Sequence, residues 1–211
     1  MPVPPPPSDG TTGAVDRTAV AGRLRDFPRR PAHRPDLRQA AVALCVTEYE
    51  GRPALVITRR AAGLRAHAGQ WALPGGRLDP DETVVDCALR ELEEEVLLTV
   101  GPADVLGVLD DYVTRSGYVM TPVVCWAGEV GDLVGDEAEV AEVLQIPLAD
   151  LDVEPLFTRI PESSAPVIAL PLLGRHLHAP TAAVIHQFCR IACRGEVARV
   201  DHLEQPVFAW R

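Results

Sequence analysis

One segment, residues 76–98, constrains the fold of this chain more than any other. Apolar side chains recur in it at intervals of four, three and four residues, a spacing typical of a helix that packs on a core: Val85, Leu89, Leu92 and Val96. Glutamates at i, i+3 and i+4 follow on a neighbouring face, at positions 91, 94 and 95. The segment therefore predicts one helix that packs along one side and presents three carboxylates on the other.

Three carboxylates this close together repel one another, which raises their pKa values unless a cation lies among them. Hard oxygen ligands of this kind suit Mg²⁺ or Mn²⁺. The ordinary interpretation of several glutamates in one helix is a solvated acidic face, and Glu93, which points away from the others, is expected to be of that kind. For Glu91, Glu94 and Glu95, the surrounding residues favour a metal site instead.

Neighbouring residues predict how this helix begins and how its carboxylates are held. Asp79 or Asp81 can cap the start of the helix, and Pro80 is tolerated in a first turn. Arg90 is a natural partner for Glu82 or for one of the ligand carboxylates, which it would hold in place.

A fixed spacing joins these residues into a motif. Five residues separate a glycine from a glutamate, and seven more precede an arginine and a run of acids; the fixed positions are Gly76, Glu82, Arg90, Glu91, Leu92, Glu94 and Glu95. This motif resembles the signature of the Nudix hydrolases, enzymes that split a diphosphate linked to some other group. The resemblance implies the α/β class, with a Nudix-type α/β/α sandwich and a mixed sheet.

The resemblance also implies the parts of a metal site. Mg²⁺ or Mn²⁺ would be held by three glutamates and one backbone carbonyl, those of Glu91, Glu94, Glu95 and Gly76. Two or three such ions would bridge the carboxylates and the diphosphate and lower the pKa of a bound water that attacks phosphorus. Arg90 is counted with the three glutamates as catalytic, and Glu139 in a later loop is the further acid. Which carboxylate is the general base stays open.

The chain departs from the family motif at Leu97, where the family has a glycine. That glycine would end the helix in the left-handed conformation. A leucine cannot adopt this conformation cheaply, so the helix is expected to end differently. Because Leu97 supplies no ligand, the departure concerns local geometry more than activity.

A second motif lies upstream of the first. It consists of Thr58-Arg59-Arg60-Ala61, then Arg65, His67 and Gly69, and finally Leu73-Pro74-Gly75-Gly76. It resembles the additional motif of the Nudix coenzyme A diphosphatases, although Ala61 and Leu73 replace its serine and phenylalanine. The residues expected to bind substrate are Arg59, Arg60, Arg65, His67 and Gly69, because guanidinium groups suit phosphates. The alternative is that two of the arginines are solvated charges at a strand end and that the histidine is merely exposed.

The favoured substrate is coenzyme A or acyl-coenzyme A, cut to phosphopantetheine and adenosine 3′,5′-bisphosphate. The alternatives are ADP-ribose or another nucleoside diphosphate or triphosphate derivative. An inactive nucleotide-sensing module is a further alternative, although its expected mark, the loss of a ligand glutamate, is not found in this sequence.

Composition narrows the remaining possibilities. The chain has 211 residues, 47% of them apolar, which suffices for the core of one domain with an appendage. Twenty basic and thirty acidic residues give a net charge of −10, which does not suggest nucleic acid or an anionic membrane as a partner. Five cysteines in apolar patterns indicate buried thiols, and with no signal peptide expected they favour the cytoplasm. A homodimer stays open.

The chain is expected to divide into an N-terminal extension, residues 1–36, and a Nudix domain, residues 37–211. The extension is rich in proline and is expected to be disordered over residues 1–13, with a short helix at 15–27 and a linker at 28–36. Strands are predicted within 40–47, 54–58, 105–109, 118–127, 140–146 and 167–170, and a second main helix within 181–194.

Overall fold

A mixed β-sheet carries the elements that position the carboxylates. The structure, a computed structural model, describes residues 15–63, 69–172 and 174–210. The helices are α1 (Arg17–Asp26), α2 (Val84–Val96), α3 (Leu148–Leu151) and α4 (Thr181–Arg194). The strands are β1 (Arg38–Tyr49), β2 (Arg52–Arg60), β3 (Trp71–Ala72), β4 (Gly75–Arg77), β5 (Val105–Val108), β6 (Tyr112–Val113), β7 (Tyr118–Glu129), β8 (Val140–Pro147), β9 (Leu156–Ile160), β10 (Ser163–Leu172) and β11 (Arg175–His178).

The first eight strands form the main sheet, whose central path runs β3-β2-β1-β7-β5. Strand β1 pairs in antiparallel fashion with β2 and β4 and in parallel fashion with β7. Strand β8 pairs with β2. The predicted α/β class with a mixed sheet is therefore confirmed.

Alternation along β1 separates two cores. Ala41, Ala43 and Cys45 are buried in one apolar cluster together with the inner stripe of α2. The residues between them, Val42, Leu44 and Val46, are buried in the other cluster, which includes residues of α1 and α4. Successive side chains of a strand point to opposite faces, so a central strand with helices on both sides must be apolar throughout. This explains the continuous apolar run predicted as a strand.

The predicted boundary at residue 37 does not coincide with a break in packing. The short helix expected in this region forms as α1, and its Val20 and Leu24 are buried in the same cluster as α4. The segment expected to be a linker is anchored too. Arg29 donates to the carbonyl of Leu109 at 2.9 Å and to Asp111 at 2.8 Å. The stretch expected to be disordered, residues 1–13, lies outside the described residues.

A second sheet of three strands, in the order β11-β10-β9, follows the main sheet. The sequence predicted only the core of β10, because β9 is exposed along its length and does not alternate. All five cysteines are free and buried, as their apolar surroundings predicted. Within the described ranges, no helix is long and apolar enough to cross a membrane.

The packing of α1 leads to a stability prediction. Leu24→Ala should lower the free energy of unfolding by about 2–5 kcal/mol, because it leaves a cavity between α1 and the core. Arg25 is the next residue of the same helix and is exposed, so Arg25→Ala should change the free energy of unfolding by less than about 0.5 kcal/mol. Urea unfolding of both variants measures the difference. Equal stabilities would contradict the packing of α1 as part of the domain.

Candidate metal and diphosphate site

The carboxylate helix, α2, begins at a residue that the sequence analysis did not identify. Thr83 is the N-cap, and its hydroxyl accepts from the backbone N–H of Asp86 at 3.2 Å. The Asp86 carboxylate in turn accepts from the backbone N–H of Thr83 at 3.4 Å, which completes a capping box. The prediction that Asp79 or Asp81 caps the helix was therefore wrong. A threonine and an aspartate three residues apart were the signal for this start.

The helix ends as the family motif would have it end, despite the leucine. Leu97 has φ 55° and ψ 30°, in the left-handed region, and its N–H donates to the carbonyl of Glu93 at 3.0 Å. The expectation of a different ending was wrong. A residue with a Cβ in this conformation costs about 1–2 kcal/mol. Leu97 also remains 61% exposed, so its side chain returns little of that cost by burial.

The four glutamates of α2 differ in their surroundings. Glu95 is buried, with 3% of its surface exposed, and Glu91 is half-buried. Glu94 is exposed but turned toward Arg90, 2.9 Å from its Nη1. Glu93 is exposed and accepts from the hydroxyl of Thr99 at 3.0 Å, away from the other three. This arrangement follows the helical spacing used to predict it.

Arg90 holds three of the acids in place. Its Nε and Nη2 donate to the two oxygens of Glu82 at 2.8 and 3.1 Å, a fork-to-fork pair. Its Nη1 lies 3.0 Å from Glu91 and 2.9 Å from Glu94. The pairing predicted for Arg90 thus occurs with Glu82 and with two of the candidate ligands. The guanidinium lowers the pKa of Glu82, and the acids around it raise the pKa of Arg90.

Glu95 is the most electrostatically costly of these carboxylates. Its pKa is raised to about 7, chiefly by burial and further by repulsion from Glu91 and Glu139. Arg60, whose Nη1 is 3.4 Å from Glu95, and the backbone N–H of Gly75 act in the opposite direction. Burial is also the main cause of the raised pKa of Glu91, with Glu94 and Glu139 contributing repulsion.

The two glycines before the helix permit a close approach between β4 and the carboxylates. A Cβ added to Gly76 would lie 2.0 Å from Oε1 of Glu91. A Cβ added to Gly75 would lie 2.5 Å from the backbone oxygen of Ala41 on β1. Both distances are below van der Waals contact. A side chain at position 75 would meet the backbone of β1, whereas one at position 76 would displace the carboxylate of Glu91. The backbone of Gly76, a predicted metal ligand, therefore lies directly against the carboxylate of Glu91.

Glu139 is brought to this site by the loop that precedes β8. Its backbone oxygen accepts from the N–H of Ala61 at 2.8 Å, which ties the loop to the end of β2. Asp136 in the same loop donates its N–H to the carbonyl of Glu95 at 3.1 Å. Repulsion from the Glu139 carboxylate contributes to the raised pKa values of both Glu91 and Glu95.

The donor set fits a hard divalent cation. It consists of carboxylate oxygens and a backbone carbonyl, which are ligands for Mg²⁺ and Mn²⁺. Within residues 15–63, 69–172 and 174–210, no three acidic, histidine or cysteine side chains converge into a closed cluster. Arg90 engages Glu91 and Glu94, while Arg60 engages Glu95. A cation among these acids would relieve the repulsion that the two arginines now offset in part.

The residues expected to bind substrate fall into three groups. Arg60 and Gly69 line a cavity of about 410 Å³ that opens beside the carboxylates. Arg59 is not among the residues lining this cavity; its Nε is 3.0 Å from Glu142, and its guanidinium lies 5.8 Å from the centre of the Trp71 ring. Arg65 and His67 lie outside the described residues. The cavity is also lined by residues that no motif identified, on β11 and near the C-terminus.

Comparison with known proteins gives both a family and a fold. The NUDIX domain matches residues 37–170. A protein of Photorhabdus laumondii named "Uncharacterized Nudix hydrolase NudL" is 39% identical over 125 residues, which are 59% of this chain and 67% of that protein. A protein of the same name from Yersinia pestis is 43% identical over 112 residues, 53% of this chain and 56% of that one. The match therefore spans 67% of the length of the first relative and 56% of the length of the second.

Solved structures support the same architecture. The crystal structure of a NUDIX hydrolase from Alicyclobacillus acidocaldarius has a TM-score of 0.51 and 20% identity, covering 75% of this chain and 94% of that one. A MutT/nudix family protein from Enterococcus faecalis has a TM-score of 0.50 and 14% identity, covering 78% and 63%. At these identities the likeness concerns the fold alone, and it confirms the predicted Nudix-type sandwich.

The cost of the left-handed conformation of Leu97, at the end of α2, can be measured. Leu97→Gly should raise the free energy of unfolding by about 0.5–1 kcal/mol, because glycine adopts this conformation without the cost that a Cβ imposes. Leu97→Ala keeps a Cβ and should bring no such gain. Thermal or urea unfolding of the two variants gives the comparison, and equal gains in both would show that the leucine side chain, not the backbone, is the source.

Proposed function

The chain belongs to the Nudix family, and from this premise we propose that it is a hydrolase that cleaves a diphosphate linkage with Mg²⁺ or Mn²⁺. The observation that carries the proposal is the gathering of Glu91, Glu95 and the charge of Glu139 around the Gly75–Gly76 turn. The stability of the fold alone gives no reason for acidic side chains to lie together at a partly buried place. A metal-dependent reaction at phosphorus does.

In this proposal Glu91, Glu94, Glu95 and the carbonyl of Gly76 would hold the cation. When bound, the cation would neutralise charge on the diphosphate oxygens and lower the pKa of a water molecule. The chain's own residues position and balance charge. Arg90 keeps Glu91 and Glu94 oriented through its contacts of 3.0 and 2.9 Å. Little covalent chemistry is left to the protein beyond positioning.

We further propose coenzyme A or an acyl derivative as the substrate. Three features support this choice: the upstream motif within residues 58–76, the position of Arg60 on the cavity wall, and the contact of Arg60 with Glu95. A phosphate-rich substrate needs cationic groups beside the metal site, and Arg60 would meet a diphosphate oxygen there. ADP-ribose or another nucleoside diphosphate derivative is the competing outcome of the test.

The carboxylates are tested by charge-neutral substitution. Glu94→Gln and Glu95→Gln should each lower kcat by at least ~10²-fold, because each loses a ligand charge. Glu93→Gln removes the same charge from the opposite side of α2 and should be nearly silent. Steady-state kinetics with Mg²⁺ and with Mn²⁺ provide the measurement. Equal losses at Glu93 and Glu94 would contradict the assignment of the face.

The substrate is tested with coenzyme A, 3′-dephospho-coenzyme A and ADP-ribose. The wild type should have its highest kcat/KM for coenzyme A. Arg60→Ala should lower kcat/KM for both coenzyme A forms by about 10- to 150-fold, the loss expected for one charge-assisted contact. Arg52→Ala is the matched control, because this exposed arginine of the same strand pairs with Glu50 and does not line the cavity. A wild type that cleaves ADP-ribose well and ignores coenzyme A would overturn the substrate assignment.

A further inference from the structure

The cavity beside the carboxylates has a wall that the family motif does not explain. Arg60 lines one part of it and also contacts Glu95, so the cavity adjoins the candidate metal site through this residue. Another part is formed by β11 and by the C-terminal segment that includes Phe208. These residues lie beyond residue 170, where the family match ends. They therefore lie outside the part of the chain that the family match covers.

The charge of the cavity is opposite to that of the protein. The net charge of the chain is −10, yet the described residues that line the cavity include Arg60, Arg175, His176 and His178 and no aspartate or glutamate. Arg60 is paired with Glu95. Arg175 is exposed, and its guanidinium has no hydrogen bond or ion pair with any of the residues that the structure describes. An uncompensated guanidinium in an acid-free cavity favours an anion, above all a phosphate.

Aromatic side chains line the same cavity. Phe208 is 58% exposed, and its ring meets that of His178 edge to face, with centroids 5.3 Å apart. Trp71 on β3 contributes a second aromatic surface from a different part of the chain. Burial lowers the pKa of His178, which favours the neutral ring with one donor and one acceptor. Flat apolar surfaces beside such a group suit a heteroaromatic ring.

We propose that this cavity is a nucleotide subsite, in which Phe208 and Trp71 contact a nucleobase and Arg175 binds a phosphate monoester on the attached ribose. The ligand class is a nucleoside that carries this monoester in addition to the diphosphate that is cut. The inference rests on the proposed hydrolase function, since the diphosphate would lie between the subsite and the carboxylates, next to Arg60. The volume of about 410 Å³ is within the range of small-molecule sites.

The other half of coenzyme A fits the cavity less well. The phosphopantetheine arm is an aliphatic chain with amides, and its own phosphate is part of the diphosphate at the metal site. Placed in the cavity, the arm would leave the guanidinium of Arg175 without an anionic partner and the aromatic surfaces without a ring. The two halves can be supplied separately, as adenosine 3′,5′-bisphosphate and as 4′-phosphopantetheine, which allows a direct comparison.

The experiment measures dissociation constants by titration calorimetry, using adenosine 3′,5′-bisphosphate and 5′-AMP as probes. The wild type should bind the bisphosphate at least about 10-fold more tightly than 5′-AMP, and Arg175→Ala should remove this preference. Phe208→Ala should weaken both probes by about 5-fold or more, through the loss of stacking. Both residues are exposed, so the variants should fold.

Two residues of β9 serve as matched controls, and this strand belongs to the same three-stranded sheet as Arg175. Arg159→Ala removes the same charge, and Phe157→Ala removes a ring that is likewise exposed, but neither residue is among those that line the cavity. Both controls should bind the probes as the wild type does. Losses in the controls as large as those in Arg175→Ala and Phe208→Ala would overturn the proposal, because they would reflect general charge or stability.

The binding probes are products, so the result does not depend on turnover. Binding of the bisphosphate that depends on Arg175, in a protein that cleaves no coenzyme A, would support the subsite while the proposed substrate fails. Cleavage of coenzyme A with probe affinities unchanged in Arg175→Ala and Phe208→Ala would overturn the subsite and leave the hydrolase function intact. Dependence of 4′-phosphopantetheine binding, instead of bisphosphate binding, on these two residues would also overturn it.

Discussion

Mutual repulsion among carboxylates is the constraint on which the rest of this site depends. Glu95 is buried, Glu91 is half-buried, and Glu139 adds its charge to both. Such a cluster forms only if other interactions hold it together, since like charges at short range raise one another's pKa and disfavour the folded state. Arg90 offsets part of this cost through Glu82, Glu91 and Glu94, and Arg60 offsets part of it through Glu95.

The scaffold supplies the remaining stability. Helix α2 is fixed by the apolar stripe that packs against β1, so its acidic face has no freedom to turn away. Strand β4 presses against that face because Gly75 and Gly76 lack side chains. The loop before β8 closes the site from the other side through hydrogen bonds to Ala61 and to the carbonyl of Glu95. Each contact is ordinary, and together they position acids that would otherwise separate.

The two ends of the described chain are joined through one buried carboxylate, that of Asp110. Asp110 accepts from the backbone N–H of Arg30 at 2.7 Å and pairs with Arg199 at 2.6 Å. Gln187 on α4 donates to the same carboxylate at 2.9 Å. These contacts connect the segment before β1 with the segment after α4, and the latter carries the C-terminal wall of the cavity. The N-terminal segment is thus part of the structure that supports this wall.

Local patterns in the sequence determined the elements whose signals are contained in a few neighbouring residues. Helix α2, its apolar stripe, its acidic face, the pairing of Arg90 with Glu82 and the central strands follow from periodicity and spacing, because turn and pleat geometry are local. The predicted cap and the predicted ending of α2 were wrong, although both are also local features of the chain. Thr83 caps the helix in place of the two nearby aspartates, and Leu97 adopts the left-handed conformation although it carries a Cβ.

Only the tertiary structure decided which distant residues meet. Arg59 and Arg60 are adjacent in sequence, yet one pairs with Glu142 and the other lines the cavity and contacts Glu95. The pairing of β2 with β8 shifts its register between these two residues, which no local pattern predicts. Arg175 and Phe208 belong to no motif, and no spacing relates them to α2. Their position beside the candidate site results from the packing of the second sheet and the C-terminal segment, an outcome of long-range contacts that no local pattern encodes.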